Sequence, residues 1–248
     1  MNVFLHIQRF NPETDRRPHW QNVALTQVDP SERVLDLLKH VKGHIDGTLT
    51  FRHSCAHGVC GSDAMRINGR DRLACKTLIR DVAAADGDTV RIEPLRHFPL
   101  QRDLQVDQRS FIEKYKSVQP FLINDEPVEA GERLQTPEER RRIDDQANCI
   151  LCAACYSACP VMGENPAFLG PAAIVAAARF LDDSRDRGFE ARLPVLDTPD
   201  GVWPCLNHFE CTRCCPREIK VTKRINETKA KIKRHRADRG EPVHDRTS

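Results

Sequence analysis

One cysteine pattern occurs twice in the second half of the chain, and it constrains the possible folds more than any other feature. The first copy runs from Cys149 to Pro160 and reads C-x2-C-x2-C-x3-C-P. The second copy keeps the same steps from Cys205 to Pro216, but His208 stands where the second cysteine is expected. Thiolates are preferred ligands of soft metal centres, so the repeat predicts a domain built around metal.

The spacing resembles that of two-cluster bacterial ferredoxins, in which three cysteines of a run bind one cubane cluster and the fourth binds the other. Applied to this chain, it predicts two ligand sets that cross between the runs. One set is complete for a [4Fe-4S] cluster, and the other lacks one thiolate, as a [3Fe-4S] cluster requires. The predicted [4Fe-4S] ligands are Cys149, Cys152, Cys155 and Cys215, and the predicted [3Fe-4S] ligands are Cys159, Cys205 and Cys211.

A third site is predicted in the first half of the chain. A C-x4-C-x2-D segment and a later cysteine resemble the plant-type opening of a [2Fe-2S] site, with a carboxylate in place of the third thiolate. A carboxylate is a harder donor than a thiolate but also binds iron. Gly58 and Gly61 allow the backbone to turn tightly around the cluster. The predicted [2Fe-2S] ligands are Cys55, Cys60, Asp63 and Cys75.

His208 leaves two interpretations open. In the first, its imidazole binds a fourth iron and the last cluster is a second [4Fe-4S] cluster, because histidine replaces cysteine in Rieske centres. In the second, His208 lies beside a [3Fe-4S] cluster and provides a proton or a hydrogen bond. We favour the second, since a single histidine is weak evidence of ligation without geometry.

Eleven cysteines also admit disulfides or structural zinc. The amino-terminal segment MNVFLHIQRF lacks the features of a secretory signal peptide, so we expect a reducing compartment, which disfavours disulfides. Zinc ribbons pair two C-x2-C knuckles and require neither three successive steps of three nor a closing Cys-Pro. Iron–sulfur ligation is therefore favoured. Cys214 falls outside the pattern and is predicted to be a small packing residue.

Length and charge set further limits. A chain of 248 residues suggests about two domains, and a net charge of +2 gives no indication of a nucleic-acid partner. The longest apolar stretch, Pro171 to Leu181, is shorter than the roughly 20 residues that a membrane-spanning helix needs.

The order of the elements predicts an α+β chain. A plant-ferredoxin-like (β-grasp) domain is expected over residues 1–103, and an all-α bacterial-ferredoxin-like domain over residues 104–248. In the first domain we expect strands at 3–7, 23–25 and 89–93 and a helix that Ser31 caps. In the second we expect helices at 111–118, 137–144, 171–181 and in the basic segment 223–239.

Nearly the whole chain resembles the iron–sulfur subunit of succinate dehydrogenase and of its relative quinol:fumarate reductase. The resemblance is carried by SCAHGVCGSDAMRINGRDRLACKT, CILCAACYSACP, FLGPAAIVAAARFLDDSRD and CTRCCP. The FLGP…DSRD segment contains none of the predicted ligands, so cluster chemistry alone does not explain it. Some members of the family also carry aspartate at the position of Asp63.

The resemblance implies a function. A flavoprotein partner with covalent FAD oxidises succinate to fumarate, and electrons pass through the [2Fe-2S], [4Fe-4S] and [3Fe-4S] clusters to quinone at a membrane anchor subunit. Such a complex acts in the tricarboxylic acid cycle and respiratory chain, at the cytoplasmic face of the cell membrane. This subunit would carry no catalytic acid or base of its own. The alternative is a fumarate reductase that runs the same chain in reverse.

The quinone site departs from the family pattern. Members often carry tryptophan soon after the first Cys-Pro, whereas this chain continues Pro160-Val161-Met162. Trp203, two residues before Cys205, is the one candidate for a ring beside the last cluster. A packing role for Trp203 is favoured, since buried aromatic residues most often serve the core.

Overall fold

Five strands form a mixed sheet in the computed structural model, which describes residues 1–128 and 131–242. The strand order is β2-β1-β5-β3-β4, in which β1 runs parallel to β5 and antiparallel to β2. The strands are β1 (Val3–Arg9), β2 (His19–Leu25), β3 (Ala64–Ile67), β4 (Arg70–Leu73) and β5 (Asp88–Glu93).

Alternation along β1 determines which face of the sheet is buried. Val3, Leu5 and Ile7 are fully buried, while the residues between them are exposed or half-buried. Because successive side chains of a strand point to opposite faces, this pattern gives one core face and one outer face. The predicted hairpin of β1 and β2 is confirmed, with Val3 opposite Leu25.

Helix α1 (Val34–His40) follows the β1–β2 hairpin in the chain. It continues as a π-helical turn at Val41–Ile45. The predicted helix is confirmed, but the predicted cap is wrong. Ser31 donates its hydroxyl hydrogen bond to Asp29, and the carboxylate of Asp36 accepts instead from the N–H of Arg33. A side chain inside the first turn therefore satisfies the helix terminus.

The described chain packs as two units. Residues 1–108 and 150–158 form the first unit, and the described residues of 109–149 and 159–242 form the second. The boundary predicted between residues 103 and 104 remains a prediction about the cluster-binding domains. Residues 243–248, at the end of the predicted second domain, lie outside the described part of the chain.

The first unit also holds the short strands β6 (Leu100–Arg102) and β7 (Gln105–Val106) and the helix α5 (Ala154–Ala158). Helix α5 packs against β4, and Ser157 on α5 donates a hydrogen bond to the buried Asp71 of β4. A segment from the middle of the chain is thereby attached to the sheet.

The second unit is helical. Helix α7 (Pro171–Leu181) is almost entirely buried and packs against α10 (Val221–Asp238). The predicted bounds of α7 are confirmed. It begins at Pro171 because proline suits the first helical position. The helix predicted at 137–144 is wrong as a single element: it ends at Arg141, and Ile143 is buried in a non-helical conformation. The helices are α2 (Arg109–Ser117), α3 (Pro137–Arg141), α4 (Asp144–Ala147), α6 (Pro160–Glu164), α7 (Pro171–Leu181), α8 (Phe189–Leu196), α9 (Glu210–Arg213) and α10 (Val221–Asp238).

The FLGP…DSRD segment has a structural role in this unit. Asp186, at its end, forms a buried ion pair with Arg192 of α8 at 2.7 Å. The guanidinium of Arg192 also donates to the carbonyl oxygens of Gln119 and Phe121. A buried charge is tolerated when its donors are satisfied in this way, so the segment fixes α8 against the loop after α2.

The predicted α+β fold is confirmed, with a mixed sheet and one crossing helix in the first unit and a helical second unit. Within the described residues, no helix combines the length and apolar character needed to cross a bilayer.

Candidate iron–sulfur cluster sites

The loop that carries Cys55 directs backbone N–H groups at its sulfur. The N–H groups of His57 and Cys60 each donate to Cys55 Sγ at 3.3 Å. The loop turns through left-handed conformations at Ala56 and at Gly58, whose φ angles are 56° and 74°. These hydrogen bonds lower the pKa of Cys55 to about 6, and the one from His57 has the largest effect. The thiolate form that iron binding needs is therefore favoured.

Asp63 has one buried oxygen free for a ligand. Its Oδ2 accepts a hydrogen bond from the N–H of Cys75 at 2.6 Å, but Oδ1 is buried and has no hydrogen-bond partner among the described residues. A buried carboxylate oxygen without a partner is costly. An iron bound between Asp63 and Cys75 would remove that cost, so the residues present fit a cluster here.

Cys75 lies on the buried side of the same site. Burial and the neighbouring carboxylate of Asp63 raise the pKa of Cys75 to about 12. Two anions cannot both be buried there without a compensating cation, and ferric or ferrous iron is such a cation.

We expect Asp63→Ala to weaken assembly of the [2Fe-2S] cluster, because it removes the proposed oxygen ligand. Asp63→Cys should retain the cluster and change its reduction potential, since a softer thiolate donates more charge to iron. Electron paramagnetic resonance (EPR) with redox titration of the purified protein measures both results.

The matched control is Ser62→Ala, because the Ser62 hydroxyl lies 3.1 Å from Cys60 Sγ and provides the nearest other oxygen in the loop. Ser62→Ala should leave the cluster in place. If Ser62→Ala abolished the signal while Asp63→Ala left signal and potential unchanged, Ser62 would be the ligand instead of Asp63.

The second unit contains a small, partly open cavity of about 20 Å³. All three cysteines of the incomplete set line it, together with His208. They come from two runs separated by the whole of α7 and α8, so the fold brings together residues that the crossed pattern predicted to share a cluster. The thiols concerned are those of Cys159, Cys205 and Cys211.

Two short helices position the buried thiols of this cavity. Cys159 precedes Pro160 at the start of α6, and backbone N–H groups of Met162 and Val161 face its sulfur. Cys211 lies in α9, with its sulfur 3.5 Å from the hydroxyl of Thr222. Burial raises the pKa of Cys159, and burial raises that of Cys211 to about 11, so thiolates here require a cation.

The backbone around this cavity is strained at residues other than glycine. Asn207 and Phe209 both adopt left-handed conformations, with φ angles of 60° and 64°. Left-handed φ is unfavourable for a bulky residue and persists only where the surroundings impose it. Cluster binding would supply that constraint, which is a second reason that the site fits a cluster.

The four predicted [4Fe-4S] ligands belong to different units. Cys152 and Cys155 lie in the first unit, and Cys149 and Cys215 lie in the second. Left-handed residues occur beside this set as well, at Leu151, Ala153 and Glu218. The shared cluster of these four cysteines remains a prediction.

The structure also shows where three other residues with predicted roles lie. His208 is exposed and lines the cavity with the three thiols, so both of its interpretations remain open. Trp203 is buried and its N–H donates to Asp197 at 2.9 Å, as the packing role requires. Cys214 is half-buried, and its thiol donates to the carbonyl oxygen of Cys211 at 3.6 Å.

Among the described residues, no three His, Cys, Asp or Glu side chains surround one ion position. Sequence reasoning did not identify Thr222, since a single threonine in a helix gives no signal of contact with Cys211.

Known proteins resemble this chain over nearly its whole length. A family profile described as a 2Fe-2S iron-sulfur cluster binding domain matches residues 4–113, and one described as a 4Fe-4S dicluster domain matches residues 145–219. The fumarate reductase iron-sulfur subunit of Mycobacterium tuberculosis is 42% identical, and the match covers 94% of each chain. The succinate dehydrogenase iron-sulfur subunit of Coxiella burnetii is 41% identical and covers 91% of this chain and 95% of its own.

A solved structure agrees with these relatives. A chain of the Mycobacterium smegmatis Sdh1 complex in the apo form superposes with a TM-score of 0.85 at 25% identity, covering 98% of this chain and 99% of that chain.

The fold, the thiol-lined sites and the order of the two cluster-binding domains define an iron–sulfur protein of electron transport. The chain belongs to the family of iron–sulfur subunits of succinate dehydrogenase and fumarate reductase. The predicted resemblance is thereby confirmed.

Proposed function

We propose that this chain is the electron-transfer subunit of a succinate:quinone oxidoreductase. It accepts electrons from the FAD of a flavoprotein partner and passes them through a [2Fe-2S], a [4Fe-4S] and a [3Fe-4S] cluster to quinone. The clusters supply one-electron chemistry, and the chain supplies no acid or base for the dicarboxylate. The complex is held by an anchor subunit at the cytoplasmic face of the membrane.

The chain's own residues position the clusters and set their environment. The N–H groups aimed at Cys55 stabilise negative charge on its sulfur, and the buried Asp63 replaces a thiolate with a harder oxygen. Hydrogen bonds, burial and ligand type tune the potential of a cluster. These residues therefore act on electron flow without touching succinate.

The cavity formed by Cys159, Cys205 and Cys211 carries the proposal. Two apolar side chains, Leu206 and Phe209, also line it and are about half exposed to solvent. Apolar groups exposed beside a buried redox site suit an apolar acceptor, and a quinone at an anchor subunit has that chemistry. Family membership supports the same assignment.

The second candidate function is fumarate reduction. The Mycobacterium tuberculosis relative is named as a fumarate reductase subunit and the Coxiella burnetii relative as a succinate dehydrogenase subunit, at nearly equal identity. The same three clusters can carry electrons either way, and the direction depends on the potential of the quinone and on the supply of fumarate.

The test is to purify the native complex through a tag on this chain. We expect a flavoprotein with covalent FAD to copurify, and succinate-dependent reduction of a high-potential quinone to be faster than fumarate reduction by a low-potential quinol. Faster fumarate reduction would make the second candidate correct. Purification without any flavoprotein would contradict both.

A further inference from the structure

Gly61 immediately follows Cys60 in the loop of the first cluster, and it allows that loop to touch another proposed ligand. A Cβ atom added at Gly61 would lie 2.7 Å from Cys152 Cβ, 3.0 Å from Cys152 Cα and 3.1 Å from the carbonyl oxygen of Ile150. Real Cβ atoms essentially never approach another atom to 2.7 Å, and contacts of 3.0–3.1 Å are rare. Only glycine therefore permits this contact, within the first unit, between the two loops.

The φ angle of Gly61 is 69°, which also favours glycine. Gly58 gives a comparison, because its φ angle is 74° and a Cβ there would also meet an atom at 2.7 Å. That atom belongs to the flexible side chain of Lys76, which can move aside, whereas the neighbours of Gly61 are backbone and Cβ atoms. Both glycines have a left-handed φ angle, but an added Cβ would meet a flexible side chain at Gly58 and fixed atoms at Gly61.

The segment that contacts Gly61 is fixed to the first unit by polar and aromatic contacts. The hydroxyl of Ser157 donates to Asp71 and accepts a hydrogen bond at 2.8 Å from the N–H of Arg96. The ring of Tyr156 stacks on Phe98 with centroids 4.7 Å apart. Residues 150–158 belong to the first unit for this reason, although they follow in the chain from the second.

We propose that Gly61 is the positioning residue for electron transfer between the [2Fe-2S] and [4Fe-4S] clusters. Cys60 binds the first cluster and Cys152 the second, and the bare backbone of Gly61 brings their covalent frameworks into van der Waals contact. The proposal rests on the ligand sets of the proposed function and adds the place where the two loops meet.

The step transfers one electron and nothing else. With both clusters bound, Cys60 would hold the electron donor, a reduced [2Fe-2S] cluster, and Cys152 the acceptor, an oxidised [4Fe-4S] cluster. No bond forms or breaks, and no proton moves. Electron tunnelling weakens steeply with distance and with each gap between bonded segments. A side chain that separates Gly61 from Cys152 should therefore slow transfer without removing any ligand.

The test compares Gly61→Ala with Gly87→Ala, which lies outside the cluster loop, in the complete complex. Two measurements are made: the enhancement of [2Fe-2S] spin relaxation by the reduced [4Fe-4S] cluster, and the rate at which electrons leave the first cluster in rapid-mixing experiments. We expect Gly61→Ala to retain both clusters and to lower the relaxation enhancement and the rate severalfold. Gly87→Ala, at a φ angle of 84° and with no atom within 4 Å of the added Cβ, carries a similar backbone penalty and should match the unsubstituted protein in both.

Equal values for Gly61→Ala and Gly87→Ala would overturn the proposal. If Gly61→Ala fails to assemble its clusters, Ser157→Ala decides instead, because it loosens the segment from β4 without adding an atom to the cluster loop. It should lower the relaxation enhancement, and an unchanged value would overturn the proposal. Absence of the clusters from the unsubstituted protein would contradict the proposed function itself.

Discussion

Cys215→Ser is expected to abolish or distort the [4Fe-4S] signal, although the other proposed ligands of that cluster lie in the distant first run. The cluster would keep only three of its four proposed thiolate ligands, those of Cys149, Cys152 and Cys155. The signal of the [3Fe-4S] cluster should be affected less directly. Because ligation contributes to folding where a site is not formed in advance, the second unit should also be destabilised. EPR spectra of the oxidised and reduced variant measure the cluster loss, and thermal unfolding measures the destabilisation.

The chain offers a close control for this variant. Cys214 adjoins Cys215 but lies outside the pattern, and its thiol donates to the carbonyl oxygen of Cys211. A serine hydroxyl can make the same hydrogen bond, so Cys214→Ser should keep all three clusters. If Cys215→Ser erased only the [3Fe-4S] signal, the ligands would be sorted by run and the crossed assignment would be wrong.

Removal of iron should have the largest effect on structure. Metal in structural zinc sites contributes about 10–16 kcal/mol, which is comparable to the ~5–15 kcal/mol by which a whole domain is stable. Iron would impose the left-handed conformation of Phe209 and hold the thiolates that line the cavity together, and chelation removes both constraints. We expect chelation under reducing conditions to expose residues 205–218 to protease and to hydrogen exchange.

The sheet around Val3, Leu5 and Ile7 should be protected longer, since these three side chains are apolar and fully buried. Chelation should be faster at lower pH. The raised pKa values of Cys159 and Cys211 mean that protons compete with iron for these thiolates, and the competition grows as pH falls. Equal protection of residues 205–218 before and after iron removal would contradict the expectation.

Local sequence signals predicted the elements that depend on neighbouring residues. The bounds of α7 follow from Pro171 and from a run of apolar residues, and the alternation in β1 follows from its half-buried position. The helix predicted at 137–144 was interrupted because burial of Ile143 overrides the local helical preference. Tertiary packing therefore determined where the helix ends, in a segment whose apolar periodicity is weak.

The features of the candidate sites also differ in whether the sequence could predict them. Cysteine spacing grouped Cys159, Cys205 and Cys211 as one predicted ligand set, because the intervals between cysteines reflect the ligand geometry of a cluster. The structure places all three on one cavity, and their ligation of iron stays a prediction. The contact of Gly61 with Cys152 could not be predicted, since it joins residues far apart in the chain through the absence of a side chain. The left-handed conformation of Phe209 has no signal in the sequence, because a bulky residue does not favour it.

The most direct test of the account is the metal content of the purified complex, measured together with its EPR spectrum. We predict about nine irons per chain and three separate cluster signals, or about ten irons if His208 binds a fourth iron in the last cluster. His208→Leu should then leave nine irons in either case. Two or fewer irons per chain, with stoichiometric zinc, would contradict the assignment of all three clusters.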